Sequence, residues 1–496
     1  MKRIIHIFLI VILIFSFVLS GCNILFQTTD NDHTHTFGEW TIIKASTCSE
    51  HGIKASFCTY AKCNERKEEE IELLSHNYVD GICSECQATK LLIEKEYFEE
   101  LPIFYIYTNG QTIPDRSHPE YDNYADCDIS MTKNNVVEFD ETVKIRIRGT
   151  SSRWFAKKGY KIKFSSSKSL EGLPRSKKYN LLASYPDPCK LRDYLALSIS
   201  YTMNNNSGRY APLPILSKIY IDDEYKGLYF LVDDIEDGKN KIELAEYSST
   251  DIEIPFVLEM DTVAYKEGTE GVNYFALGRT DVFDYDGDGW TDLLYVIDSD
   301  DNLTSNQFNY VKNYVSLCRQ SLVDKNIAKF SELVDVASFI DYFLLGELFR
   351  NTDMAGRSVY MYKLNSSGKL VFGPSWDFDY TCSRPYKLGP NTDYTLDNAK
   401  DRFTNYDWWE LFLEIPDAID LIKNRYTHFV RDIYVHEIKS CAQFYNFYES
   451  EIKADASIWY YNDVSDTNAL VNDNFNWTIS YFTLRLEMMD ELFLLT

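Results

Sequence analysis

One segment constrains the fold more than any other: ELFRNTDMAGRSVYMYKLNSSGKLVFGPSWDFD, residues 347–379. It starts as the end of an apolar helix expected over Asp335–Phe349 and runs into a polar loop holding Asp353. It then alternates as two strands, SVYMYK and KLVFGP, about the turn NSSG. Asp377 and Asp379 follow directly. Paired hairpin strands lie roughly 5 Å apart. The lone Asp before the hairpin and the acidic pair after it can therefore face one cleft.

That order suits phosphoryl transfer. One carboxylate accepts the proton of an acceptor hydroxyl, and a second, on the turn after a hairpin, holds Mg²⁺ on the phosphates. Protein kinases place those parts on a catalytic loop and an Asp-Phe-Gly turn; Asp377-Phe378-Asp379 stands here instead. Asp353 is thus the candidate base, Asp377 the candidate metal ligand and Asp379 a second ligand. Two carboxylates suffice, because Mg²⁺ completes its shell with phosphate oxygens and water. Phosphates also need cations. Arg148-Gly149-Thr150-Ser151-Ser152-Arg153 is a hydroxyl-rich turn after a strand, and its backbone N–H groups can cradle anionic oxygens. Lys157, Lys158 and Lys161 come next, on GYKIKF and just before it. Alternation puts Lys161 on one face and Lys158 with Tyr160 on the other. One of these lysines is expected at the α- and β-phosphates. Taken singly, Lys161 reads equally as a solvated strand lysine and Arg148 as a structural ion-pair former.

The rest of the chain fits a large α+β domain over residues 96–496, with a mixed sheet and a helical C-terminal part. VKIRIRG and GYKIKF read as strands, and KIYIDDEYKGLYFLVDD as a hairpin turning at Asp222-Asp223. Phe308, Val311, Val315, Cys318 and Leu322 form one apolar helical stripe, capped by Thr304 or Ser305. WTISYFTLRLEMMDELF reads as the closing helix. Glu259 and Asp261 are assigned structural roles. Asp284, Asp286 and Asp288 match the start of a calcium loop, but position twelve is Tyr295 instead of Glu, so a tight acidic turn is the better reading.

The N-terminus, MKRIIHIFLIVILIFSFVLSGC, has the basic start and short apolar run of a secretory signal over residues 1–21. Leu19-Ser20-Gly21-Cys22 resembles a bacterial lipobox, which implies lipidation of Cys22, a membrane anchor and an extracytoplasmic chain. Residues 22–36 read as a tether. Residues 37–90 hold Cys58-x4-Cys63 and Cys83-x2-Cys86, two knuckles that can bring four thiolates to one Zn²⁺ in a small zinc-ribbon-like module. His33, His35 and His76 are nearby further candidates, and disulfides are the competing reading. The net charge of −26 argues against a nucleic-acid partner, which needs clustered Lys and Arg.

RGTSSRWFAKKGYKIKF, LLASYPDPCKLRDYLA, IYIDDEYKGLYFLVDDI, ELFRNTDMAGRSVYMYK and GKLVFGPSWDFDY resemble, in order, the blocks of the CotH family of secreted atypical protein kinases. The resemblance runs from about residue 100 to the C-terminus. It implies a kinase-like fold, ATP with Mg²⁺ or Mn²⁺, and phosphorylation of Ser or Thr on exported proteins. It also implies Asp353 as catalytic Asp, Asp377 as metal Asp and Lys158 as the lysine of the Lys-Lys block. Arg148, Ser151, Ser152 and Lys161 remain candidate nucleotide contacts. Two positions depart from the family pattern. Arg357-Ser358 stands where many members have Asn, leaving Ser358 a hydroxyl to offer the metal, and Asp233 stands where Glu is common. The alternative these departures raise is a catalytically inactive, kinase-like lipoprotein of surface assembly or adhesion. A glycoside hydrolase would need Asp353 as its second carboxyl and leaves the cationic block without a role.

Overall fold

The structure, a computed structural model, describes residues 33–47, 52–61, 63–71, 78–79, 82–83, 98–115, 123–149, 152–262, 270–280, 287, 289–298, 302–379, 381–382, 407–462 and 464–494. The chain divides into two compact units, Met1–Lys90 and Leu91–Thr496.

The small unit is built on an antiparallel sheet in the order β1 (Thr41–Lys44), β2 (Gly52–Phe57), β3 (Arg66–Ile71). A second, two-stranded pair joins β4 (Tyr78–Val79) to β5 (Ile82–Cys83). Strand β3 reads RKEEEI, and its charged residues are all exposed. Among the described residues of this unit, the buried apolar side chains are Ala55 and Cys58, so the sheet has almost no hydrophobic core.

The large unit opens with a closed barrel. Its strands are β6 (Ile103–Tyr107), β7 (Ala125–Lys133), β8 (Val136–Arg148), β9 (Gly159–Lys168), β10 (Ser176–Leu182), β11 (Ile215–Ile221) and β12 (Glu224–Asp233), closed in the order β10-β12-β11-β6-β7-β8-β9. Period-two patterning makes the strands: along β7, Ala125, Cys127, Ile129 and Met131 point inward and their neighbours outward. Two hairpins close on paired left-handed residues, Asn134-Asn135 (φ 52° and 61°) and the expected Asp222-Asp223 (φ 49° and 63°). That backbone matches the strand twist, and Asn and Asp tolerate it well.

Between β10 and β11 the chain forms α1 (Leu191–Asn206), most of it buried. A second sheet follows, β13 (Phe256–Met260), β14 (Tyr274–Thr280), β15 (Thr291–Ile297), β16 (Val359–Lys363) and β17 (Val371–Phe372), in the order β14-β15-β13-β16-β17. Tyr295, position twelve of the calcium-like string, is fully buried in β15 and accepts a hydrogen bond from Trp408 Nε1 at 2.7 Å. It is a core residue; Asp284, Asp286 and Asp288 lie outside the described residues.

The helices are α2 (Ser305–Val323), α3 (Ile327–Leu333), α4 (Val336–Phe349), α5 (Asp407–Leu413), α6 (Pro416–Arg425), α7 (Arg431–Trp459) and α8 (Thr467–Phe493). Thr304 caps α2 in a reciprocal box with Gln307, and the five-residue apolar stripe faces inward. Asp335 caps α4, all but two of whose residues are buried.

Buried ionic ties cross this unit. Asp455 on α7 lies 2.6 Å from Lys157 Nζ and 3.1 Å from Lys190 Nζ, and accepts the Leu228 N–H of β12 at 2.8 Å. Lys157 is thereby committed to structure. On α8, Arg485 donates to the Glu347 carbonyl and lies 3.3 Å from its carboxylate, while Phe482 packs edge-on against Phe349. Among the described residues, no helix is long and apolar enough to cross a membrane. The signal expectation, including Cys22, falls outside those residues.

Candidate active site

Helix α4 brings the two acidic loops together. It ends on Arg350 in the left-handed conformation (φ 48°), which turns the chain sharply. Asn351 Oδ1 then accepts the Asp353 N–H at 3.0 Å, starting the tight turn Thr352–Ala355. After the β16–β17 hairpin the chain returns. Cys382 N donates to Phe349 O at 2.7 Å, and Phe378 packs edge-on to Phe349, ring centroids 5.2 Å apart. Asp377 sits at φ 65°, a conformation costly for most residues, and leaves its carboxylate exposed. Ser358 Oγ donates to Asp377 Oδ2 at 3.3 Å.

The acids of these loops and of α1 feel one another's charge. Burial pushes Asp353 up to about 7, with the charges of Asp377 and Asp261 adding to it. Burial pushes Asp379 well above the carboxylate range; Asp193 and Asp377 reinforce this, while Arg192 and Arg148 oppose it. Asp193, in the first turn of α1, is pushed up to about 6 by burial, against a hydrogen bond from Ser184 and with help from Asp377 and Asp187. Carboxylates this crowded hold protons because the charged forms repel in a poorly solvated place. A divalent cation would relieve the same repulsion, and the carboxylate and hydroxyl donors present suit Mg²⁺ or Mn²⁺, which Asp377, Asp379 and Ser358 would hold.

This crowding carries a pH signature. Asp353 and Asp193 have folded pKa values above their unfolded ones, so their protonated forms stabilise the fold. That stability is complete below about pH 4, where an unfolded Asp is itself protonated. It is lost as pH rises through about 6 and 7. The metal-free chain is expected to melt at lower temperature at pH 7.5 than at pH 5.5. Asp353→Asn should recover about 1–3 kcal/mol at pH 7.5, since each tenfold change in a carboxyl's proton affinity corresponds to about 1.4 kcal/mol before relaxation. Thermal melts in chelator check this; a variant less stable than its parent at pH 7.5 contradicts the burial of Asp353 against like charge.

The cationic side comes from the barrel. Arg148, at the end of β8, lies over the Trp376 ring, 5.3 Å from its centroid, directly before the acidic pair. Gly149 (φ 95°) lets the turn fold onto Ser152; a Cβ there would sit 1.9 Å from Ser152 Oγ. Ser151 lies outside the described residues. The lysines separate by role. Lys158 Nζ donates to the carbonyls of Arg153 (2.7 Å) and Phe155 (2.5 Å), closing its own turn instead of reaching outward. Lys161 Nζ lies 2.6 Å from Asp234 Oδ2. Burial would raise Asp234, but Lys161 and a hydrogen bond from Asn180 outweigh it and hold it at about 2. Asp233 points elsewhere, accepting from the Tyr210 hydroxyl with Lys241 Nζ at 3.6 Å. The carboxylate paired with the strand lysine is thus Asp234, one residue after Asp233.

Lys161 faces the same side of the barrel as Arg146, its cross-strand partner, and Arg148. Two guanidinium nitrogens of Arg146, Nε and Nη1, are buried without a hydrogen-bond partner. Tyr360 on β16 hydrogen-bonds Glu259 and feels the charge of Asp234, while Tyr342 feels both Glu259 and Asp377. Glu259 sits on β13 opposite Tyr360 of β16. Asp193 and Asp234 are residues near the site that the sequence alone does not single out, and Glu259 and Asp261, read there as structural, also influence its charge. An Asp in a first helical turn reads as dipole compensation, and alternating acids in FVLEMD read as strand surface.

In the small unit, the side chains beside Cys58 and Cys63 are His33 and His35. Cys86, His76 and the Cys83 side chain lie outside the described residues.

No curated protein matches the chain. Among solved structures, the crystal structure of a Helicobacter pylori proinflammatory kinase, CtkA, aligns with 12% identity over 74% of this chain and 98% of that one, at a TM-score of 0.18. That likeness is too slight to carry an argument. The family model described as CotH kinase protein matches residues 145–489, a span holding Arg148, Lys161, Asp193, Asp353, Asp377 and Asp379. With the acidic loops and the barrel lysine inside that span, the chain belongs to the CotH kinase family.

Proposed function

We propose that the large unit transfers the γ-phosphoryl group of ATP to Ser or Thr hydroxyls of exported proteins, from a chain anchored outside the cytoplasm by lipid on Cys22. One observation carries the reading: the loops of Asp353 and Asp377 both pack at the end of α4, where Asp353 feels the charge of Asp377, and Arg148 lies over the neighbouring Trp376. Asp353 is the base. A carboxyl held at about 7 takes a hydroxyl proton far better near neutrality than an ordinary Asp. Asp377 and Asp379 would hold Mg²⁺ or Mn²⁺, which when bound neutralises phosphate charge. Lys161, fixed by Asp234, is the phosphate lysine, the ion-paired arrangement kinases use. Arg146 offers further unpaired donors on the same face.

Purified protein is expected to bind ATP only with divalent metal and to label Ser or Thr of exported proteins. Lys161→Ala should weaken ATP about 10–100-fold, the worth of one charge-assisted hydrogen bond, and Lys158→Ala should weaken it less. The reverse ranking returns the role to Lys158. Arg357-Ser358 favours a second reading, an inactive assembly or adhesion protein; no nucleotide binding with Mg²⁺ or Mn²⁺ would establish it over the first. The anchor is tested by fatty-acid labelling, which Cys22→Ser should abolish.

A further inference from the structure

The small unit holds a second cluster that the phosphotransfer reading does not use. His33, His35, Cys58 and Cys63 each present one ligand atom, all within 4.8 Å of one another. Cys58 Sγ is 3.5 Å from His33 Nε2, and Cys63 Sγ is 3.4 Å from His35 Nδ1. Tetrahedral zinc, with Zn–S of about 2.3 Å and Zn–N of about 2.0–2.1 Å, sets the S···N edge at roughly 3.5 Å. Both separations match that edge.

The backbone holds the four residues in place. Phe37 bridges to Cys58, Gly38 N donates to Phe57 O at 2.9 Å, and Thr59 N donates to Thr36 O at 2.8 Å. The segment carrying both histidines is thereby tied to the end of β2. Cys63 N donates to Tyr60 O at 2.9 Å, folding the chain between the cysteines into a knuckle. His33 stacks on Tyr60, ring centroids 4.2 Å apart. Both thiols are free.

The energetics point the same way. A unit this small, with Ala55 and Cys58 as its buried apolar side chains among the described residues, leaves Trp40, Ile42, Ile43 and Phe57 exposed. The described residues thus supply little apolar burial, and small domains short of it rely on a cross-link or a metal. We propose that the small unit binds one zinc ion through His33, His35, Cys58 and Cys63, and that this closed, four-ligand centre stabilises its fold. All four positions are taken by protein, so the centre is structural. It replaces the four-thiolate set that cysteine spacing suggests.

The test uses the full chain. Metal analysis after purification without chelator is expected to give about one zinc per chain. His35→Ala and Cys58→Ser should each lower retained zinc at least tenfold against a competing chelator, while Cys86→Ser retains it. Cobalt substituted into the unaltered chain should give the absorption of a tetrahedral centre with two thiolates, a readout independent of whether any variant folds. A four-thiolate cobalt spectrum, zinc lost in Cys86→Ser but kept in His35→Ala, or Cys58 recovered in a disulfide would each overturn the proposal. ATP binding is measured separately, so failure here is distinguishable from failure of the kinase reading.

Discussion

Asp353→Asn is expected to bind ATP and metal much as the parent does, yet to transfer phosphate roughly 10²–10⁴ more slowly, the usual worth of a positioned base. Asn keeps the shape of the turn, because that turn rests on backbone groups: Asn351 accepts the residue 353 N–H, and Gly356 and Arg357 donate to its carbonyl. Only the capacity to take a proton is removed. The rate of the parent should also rise with pH as the carboxyl ionises, and this dependence should vanish in the variant. Single-turnover transfer at several pH values, beside equilibrium ATP binding, checks both. A variant that transfers at the parental rate removes Asp353 from the chemistry.

Asp377→Ala should act one step earlier and abolish metal-dependent ATP binding. The phosphates of ATP bring about four negative charges into a cleft already lined by Asp193, Asp353 and Asp379. Without a cation between them the like charges repel, and Lys161, committed to Asp234, cannot compensate alone. Removing the exposed carboxylate also frees the Ser358 hydroxyl from its partner. Calorimetric titration with ATP and Mg²⁺ or Mn²⁺ measures the loss. Binding retained within a few-fold would make Asp379 with Asp193 the metal-holding pair.

Much of the large unit is legible in the sequence because its signals are local. The α2 stripe, the Asp335 and Thr304 caps, the Asp222-Asp223 turn and the hairpin before Asp377 each lie within a short window of sequence. The site divides along the same line. Asp353 and Asp377 are linked by one hairpin, so their meeting can be read from spacing. Asp193 reaches them from the start of a helix far back in the chain, and no periodicity encodes that approach. The lysine assignment turns on which way each side chain points at the edge of β9. Lys158 precedes the strand and bends back on its own turn, so alternation does not govern it. Asp234 lies just past the end of β12, where the rule again lapses. In the small unit, cysteine spacing favours the visible pairs, whereas the fold brings in histidines through the Phe37–Cys58 bridge.

The tie from Arg485 to Glu347, with Phe482 against Phe349, has a consequence for when activity can arise. Synthesis runs from the N-terminus, so α8 leaves the ribosome after every acid of the cleft. A nascent chain that stops short of it already contains every acid of the cleft. It lacks the guanidinium that steadies the end of α4, from which the Asp353 turn departs. Phosphotransfer should therefore switch on late and all at once, when α8 docks, and a chain clipped before Arg485 should be inert with its acidic residues intact.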